Sequence, residues 1–142
     1  MHGRNLIHAK DLSVAEWLEV KAQGFHELEE TPKGFARWTD GKATLTFNVP
    51  IHAEKLHVSF AVYNPSGTVV QIDLNETPSH YGYYKPGEHM IKVPLPSSEG
   101  LNSIKIHSDS FVPTEVLKTQ DVRRLGIYLF ELVPLSLVLT SP

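Results

Sequence analysis

The chain has 142 residues, of which 41% are hydrophobic and 20% charged, with a formal net charge of -3. That length suits one domain, able to bury roughly two-thirds of the surface its unfolded form exposes, and the composition is that of a folded protein rather than a disordered one. An acidic balance without a long Lys/Arg stripe excludes nucleic acid as the expected partner, and the absence of cysteine excludes disulfides and thiolate metal sites.

The N-terminal "MHGRNLIHAK" holds no apolar core of a signal peptide. Nowhere do about 18 apolar residues run unbroken, so no membrane span is expected. The opening "MHG" is compatible with a piece cut from something longer. "DLSVAEWLEVKAQG" predicts a short helix: Ser13 caps it, Glu16 completes a capping box, and Gly24 ends it. Val14, Trp17 and Leu18 then share one face, which makes Trp17 a packing anchor.

After Gly24 the helical period gives way to short alternating segments separated by Gly, Pro, Asn, Asp and Ser clusters. Strands are expected at 24–29, 35–39, 43–49, 55–63, 68–75, 80–85, 89–93, 101–108 and 126–132. "NPSG" at 64–67 and "KPGE" at 85–88 are turn signals, because proline fixes φ and glycine accepts positive φ. Alternation assigns the faces: Ala43, Leu45, Phe47 and Val49 inward, then Leu56, Val58, Phe60 and Val62, then Val70, Ile72 and Leu74, then Ile104 and Ile106. The expected architecture is all-β, a jelly-roll-like antiparallel β-sandwich with a short N-terminal helix. Residues 1–23 form an extension, 24–133 the sandwich, and 134–142 an apolar tail that adds a last strand or covers a surface.

Chemical signatures are sparse. The eight histidines show neither HxH nor HExxH spacing, so no metal and no cofactor is expected. There is no GxSxG elbow and no phosphate loop. Glu27 and Glu29 share one strand face, the arrangement of a solvated edge rather than of a hydrolytic carboxylate pair. No catalytic residue is assigned, and the chain is not expected to be an enzyme.

The cluster "NETPSHYGYYKPGEH" is richer. It gathers His80, Tyr81, Tyr83 and Tyr84 beside Asn75, and flat amphipathic rings among short polar groups suit a sugar. Tyr81 and Tyr83 would share one face and Tyr84 the other; a core-filling edge hairpin is the competing reading. Asn75-Glu76-Thr77 also matches a glycosylation sequon. Farther on, Asp121, Arg123 and Arg124 precede the last strand. Arg123 is expected to clamp loop carbonyls or an acid such as Asp109 or Asp121, which leaves Arg124 freer for a ligand.

"GFHELE", "GFARWTDGKATLTFNVP", "IKIHSDSFVPTEVL" and "DVRRLGIYLFEL" together resemble a small β-sandwich domain appended to bacterial glycosyltransferases and related surface-polysaccharide proteins. The matching positions are Gly24, Phe25 and Glu27, then Arg37, Trp38 and Thr39, then Ser108, Phe111 and Pro113, then Asp121, Arg123, Leu125 and Gly126. The resemblance implies a sandwich, a polysaccharide context and a non-catalytic role. The expected location is the bacterial cytoplasm, with any membrane association coming through a parent protein.

Alternation places Arg37 and Trp38 on opposite faces, so the pair cannot form one flat surface. Arg37, Trp38, Asp121 and Arg123 are therefore expected to be structural. The expected sugar contacts are Tyr81, Tyr83, Tyr84, His80, Asn75, Asp73 and Arg124. Carbohydrate is the expected partner, with an adjoining glycosyltransferase domain or self-association as the alternative role.

Overall fold

The computed structural model describes residues 7–8, 21–32, 34–49, 55–95 and 100–135. Among them, nine strands and one short helix follow in order. They are β1 (Ile7–His8), β2 (Lys21–Thr31), β3 (Gly34–Val49), β4 (Lys55–Val62), β5 (Thr68–Leu74), β6 (Thr77–Tyr84), β7 (Gly87–Pro94), β8 (Gly100–Ser108), α1 (Pro113–Val116) and β9 (Tyr128–Leu135). The hydrogen-bonded order is β6-β5-β8-β3-β9-β4-β7, with β2 beside β3 and β1 beside β9, and every pairing is antiparallel.

This path folds over on itself at β3. Its second half, Lys42–Val49, pairs with β8, whereas Arg37 and Trp38 pair with β9. Two layers result, and one cluster fills the space between them. Val70, Ile72, Leu74, Ile104 and Ile106 come from one layer; Leu56, Val58, Phe60, Ile91, Val93 and Leu129 come from the other. The alternation assigned these inward except Ile91, Val93 and Leu129, whose faces it left unassigned. The all-β sandwich is as expected.

The strands expected at 35–39 and 43–49 are one continuous strand. Asp40 to Ala43 stand opposite the single Gly24 of β2, so the ladder slips there and the strand can pass between layers. Glycine is required at this corner. Gly24 sits at φ 82 and Gly41 at φ 106, and a Cβ on Gly24 would lie 2.2 Å from the Lys42 carbonyl oxygen. The Asp40 carboxylate accepts the Lys42 N–H at 3.0 Å, which secures the bend.

Two further differences concern the ends. Most of the expected helix, residues 11–20, lies outside the described residues. Its last turn does not form, because Lys21, Ala22 and Gln23 pair with Thr46, Leu45 and Thr44. Like Ile7–His8, which pairs with Leu132 and Glu131, they precede the boundary expected at residue 24 and belong to the same sheet. The last strand begins at Tyr128 and takes in Pro134 and Leu135; residues 136–142 lie outside the described residues.

A second, smaller apolar cluster lies on the outside of the β3-β9-β4-β7 layer. Ala36, Trp38, Ala61 and Tyr128 are buried there beneath Phe111 and Leu125. The covering segment between β8 and β9 is stapled down by backbone bonds. Phe111 and Leu125 exchange N–H···O bonds of 2.8 Å in both directions, and Gly126 N–H reaches the Thr39 carbonyl at 2.7 Å. The buried Thr39 hydroxyl accepts the Ile127 N–H at 3.0 Å.

Candidate functional site

The covering segment and the sheet beneath it leave an open cleft of about 380 Å³. Trp38, Tyr63, Phe111, Pro113, Leu117, Leu125 and Tyr128 form its apolar lining, and Glu29, Thr119 and Asp121 supply the polar part. The aromatic floor follows from register: Trp38 and Tyr128 are direct partners across β3 and β9, and Ala61 of β4 is the next in that row. Alanine there leaves room for the large rings. Trp38 is 9% exposed and Tyr63 49%. The indole lies 5.5 Å from the Tyr63 ring at 57° and 6.0 Å from Phe111 at 72°. These tilted geometries suit ring quadrupoles. Tyr63 therefore offers a ring whose position is fixed by its neighbours while much of its surface meets solvent.

A polar chain edges the floor. The Tyr128 hydroxyl donates to Glu29 Oε1 at 2.7 Å, and Arg123 Nη1 lies 3.6 Å from Glu29 Oε2. Arg123 grips Asp121 with Nη2 at 2.7 Å and Nε at 3.0 Å, and its own N–H adds a further 3.0 Å bond. These donors hold the Asp121 carboxyl down at about 2, and the same bonds raise the Arg123 pKa. Burial, followed by the bond to Glu29, raises the Tyr128 phenol. The cleft thus presents the carboxylates of Glu29 and Asp121 and the hydroxyls of Tyr63 and Tyr128, with the Arg123 guanidinium already engaged by those carboxylates.

Arg37 and Trp38 do face opposite ways. Arg37 Nε donates to the His26 carbonyl at 2.7 Å and its guanidinium sits 5.5 Å over the Phe25 ring, so it clamps β2 to β3. Burial lowers its pKa. Arg123 clamps Asp121. Trp38 packs against the sandwich and also floors the cleft.

The residues expected to touch sugar are not brought together. Tyr81 and Tyr83, 72% and 59% exposed, share the outer face of the other layer. The Tyr83 hydroxyl is tied to the Ser66 carbonyl at 2.6 Å. Tyr81, Gln71 and His107 stand in one cross-strand row, with Asp73 in the next. Gln71 Nε2 donates to Asp73 Oδ1 at 3.1 Å, and His107 Nε2 approaches Asp73 Oδ2 at 3.6 Å.

His80 and Tyr84 turn the other way. They join at 2.5 Å between Nε2 and the hydroxyl, while Tyr84 packs on Phe60 and His89 at the seam between layers. Burial lowers the His80 pKa and raises that of Tyr84.

Asn75 is a turn residue. At φ 50 with Glu76 at φ 66, it forms the tight β5–β6 hairpin. Its side chain donates to Asn102 at 3.0 Å and accepts the Ser103 N–H at 2.9 Å. Arg124 belongs to the covering segment, where Nη1 donates to Ser110 Oγ at 3.0 Å and the carbonyl bonds the His26 ring at 2.8 Å.

Glu29, Tyr63 and Tyr128 were not among the expected contacts. A signal existed: Ala61 and Tyr63 in one segment, and Tyr128 and Phe130 in another, occupy the phase that alternation assigns to solvent. Apolar residues on both phases of neighbouring strands mean that something covers the outer face.

No protein-family model and no curated protein matches the chain. Solved structures do. A family 35 carbohydrate-binding module from Clostridium thermocellum superposes with a TM-score of 0.59 at 13% identity, over 95% of this chain and 99% of that one. An exo-β-1,3-galactanase from Phanerochaete chrysosporium matches at 0.54 and 14% identity over 94% of this chain. The catalytic domain of a GH87 α-1,3-glucanase in complex with nigerose matches at 0.55 and 13% identity over 100%. This chain spans only 29% of each of those two proteins. What it shares with all three, at such identities, is the fold: a β-sandwich of the kind seen in a carbohydrate-binding module.

Proposed function

We propose that the chain is a non-catalytic carbohydrate-binding module, with the Trp38–Tyr63 cleft as its principal site. The observation that carries this reading is the half-exposed Tyr63 ring, held at 5.5 Å by Trp38, beside the acceptors Glu29 and Asp121. A pyranose buries its C–H face on such a ring and donates hydroxyls to such carboxylates. The fold likeness to a carbohydrate-binding module supports it. Glycoside hydrolysis would need one carboxyl kept protonated as the acid; Asp121 is held in the opposite direction. The exposed Tyr81–Tyr83 face serves as a secondary contact for longer chains. The motifs around Trp38 and Asp121 support an accessory role in a bacterial surface-polysaccharide glycosyltransferase system.

The test is an NMR titration of the isotope-labelled chain with neutral oligosaccharides. Saturable shifts centred on residues 29, 38, 63 and 119 are expected, with affinities of roughly micromolar to millimolar for a shallow site. If no glycan shifts these signals, the reading fails.

A second reading, an interaction module, is favoured by the exposed apolar Val116, Leu117 and Val122 beside the cleft. Light scattering that finds a dimer abolished by Val116→Asp would favour it.

A further inference from the structure

We infer that the cleft selects uncharged sugars and rejects acidic ones. This rests on the carbohydrate reading above and adds the chemical class of the ligand.

The charges at the site are unequal in number and in availability. Glu29 and Asp121 both line the cleft, and among the described residues no lysine, arginine or histidine does. Arg123 is paired with both carboxylates and is not itself part of the lining. Its Nε and Nη2, the fork that would receive a ligand carboxylate, are already engaged with Asp121 at 3.0 and 2.7 Å. Its Nη1 is turned towards Glu29 Oε2 at 3.6 Å. His26 acts on Asp121 only through space, and its ring is bonded to the Arg124 carbonyl.

A sugar carboxylate entering the cleft would therefore meet two negative groups and no free donor fork. A hydroxymethyl group in the same place meets acceptors that it can satisfy. Tyr63 and Thr119 add only hydroxyl groups to the lining and do not alter this balance. One uncompensated charge within several ångströms in a partly solvated cleft corresponds to a loss of about fivefold to tenfold in affinity.

The experiment uses the intact chain and matched pairs of gluco-, galacto- and manno-oligosaccharides, one member neutral and the other oxidised at C6 to the uronate. Calorimetry or NMR titration at low salt is expected to show the neutral member binding at least about fivefold tighter, and the gap narrowing in high salt as the repulsion is screened. Glu29→Gln is expected to shrink the gap. Asp121→Asn releases the Arg123 fork and is expected to raise the uronate-to-neutral affinity ratio further. Uronates that bind as tightly as their neutral partners would overturn the selectivity while leaving the carbohydrate reading intact. Absence of binding by every pair would overturn both.

Discussion

The Trp38 indole lies 4.7 Å from the Tyr128 phenol at an interplanar angle of 39°, and the two residues are direct partners across β3 and β9. This pair joins the fold to the site, because it anchors the outer cluster and floors the cleft. Trp38→Ala leaves a void beneath Phe111 and Leu125 and is expected to cost about 3–5 kcal/mol of stability, read from urea denaturation midpoints. Trp38→Phe should recover more than half of that loss.

Tyr63 supports the opposite expectation. With half of its surface in solvent, Tyr63→Ala should cost under about 1.5 kcal/mol of stability yet weaken glycan binding roughly tenfold. Calorimetry alongside thermal melts checks both arms. A variant that melts normally and binds normally would remove Tyr63 from the site.

Asp121 has a signed pH dependence. Its carboxyl is held at about 2 in the folded chain against an ordinary 3.8. Its stabilising contribution is therefore fully present above about 4 and lost as pH falls towards 2. The partly exposed pair with Arg123 limits the effect to about 1 kcal/mol. Wild type should exceed Asp121→Asn in denaturant midpoint at pH 5–7, and the two curves should converge near pH 2.

At the corner between layers, Gly24→Ala would place a methyl group against the Lys42 carbonyl at a φ that side chains rarely adopt. A loss of about 2–4 kcal/mol is expected, measured by chemical denaturation. Gly34→Ala, where nothing lies within 4 Å of the added methyl, should cost only the strain of its φ of 116.

Tyr81 distinguishes the secondary face from the cleft. Tyr81→Ala should leave stability within about 0.5 kcal/mol, leave monosaccharide affinity unchanged, and weaken binding of longer oligosaccharides. A titration series over chain length reads this directly.

Much of the fold was legible in the residues themselves. Alternation in "KLHVSFAV" and "TVVQIDL" is local, so it predicts both strand and inward face without knowledge of the partner strands. The join of 35–39 with 43–49 was not legible, because Asp-Gly looks like a hairpin turn until β2 is seen pairing on both sides of it. The end of the expected helix was lost for the same reason: Lys21, Ala22 and Gln23 satisfy a helical pattern, and only the pairing with Thr46, Leu45 and Thr44 makes them strand.

The sequence by itself determined the layered β architecture and the separate faces of Arg37 and Trp38, since both depend on period two; it left the partner of Arg123 open between loop carbonyls and an acid such as Asp109 or Asp121. Only the tertiary structure decided that Glu29, Trp38, Tyr63, Thr119 and Tyr128 share one cleft while Arg124 lies apart from the tyrosine hairpin. Glu29 and Tyr128 are 99 positions apart and meet through a 2.7 Å bond. That proximity comes from the way β2, β3 and β9 lie side by side, and no local pattern encodes it.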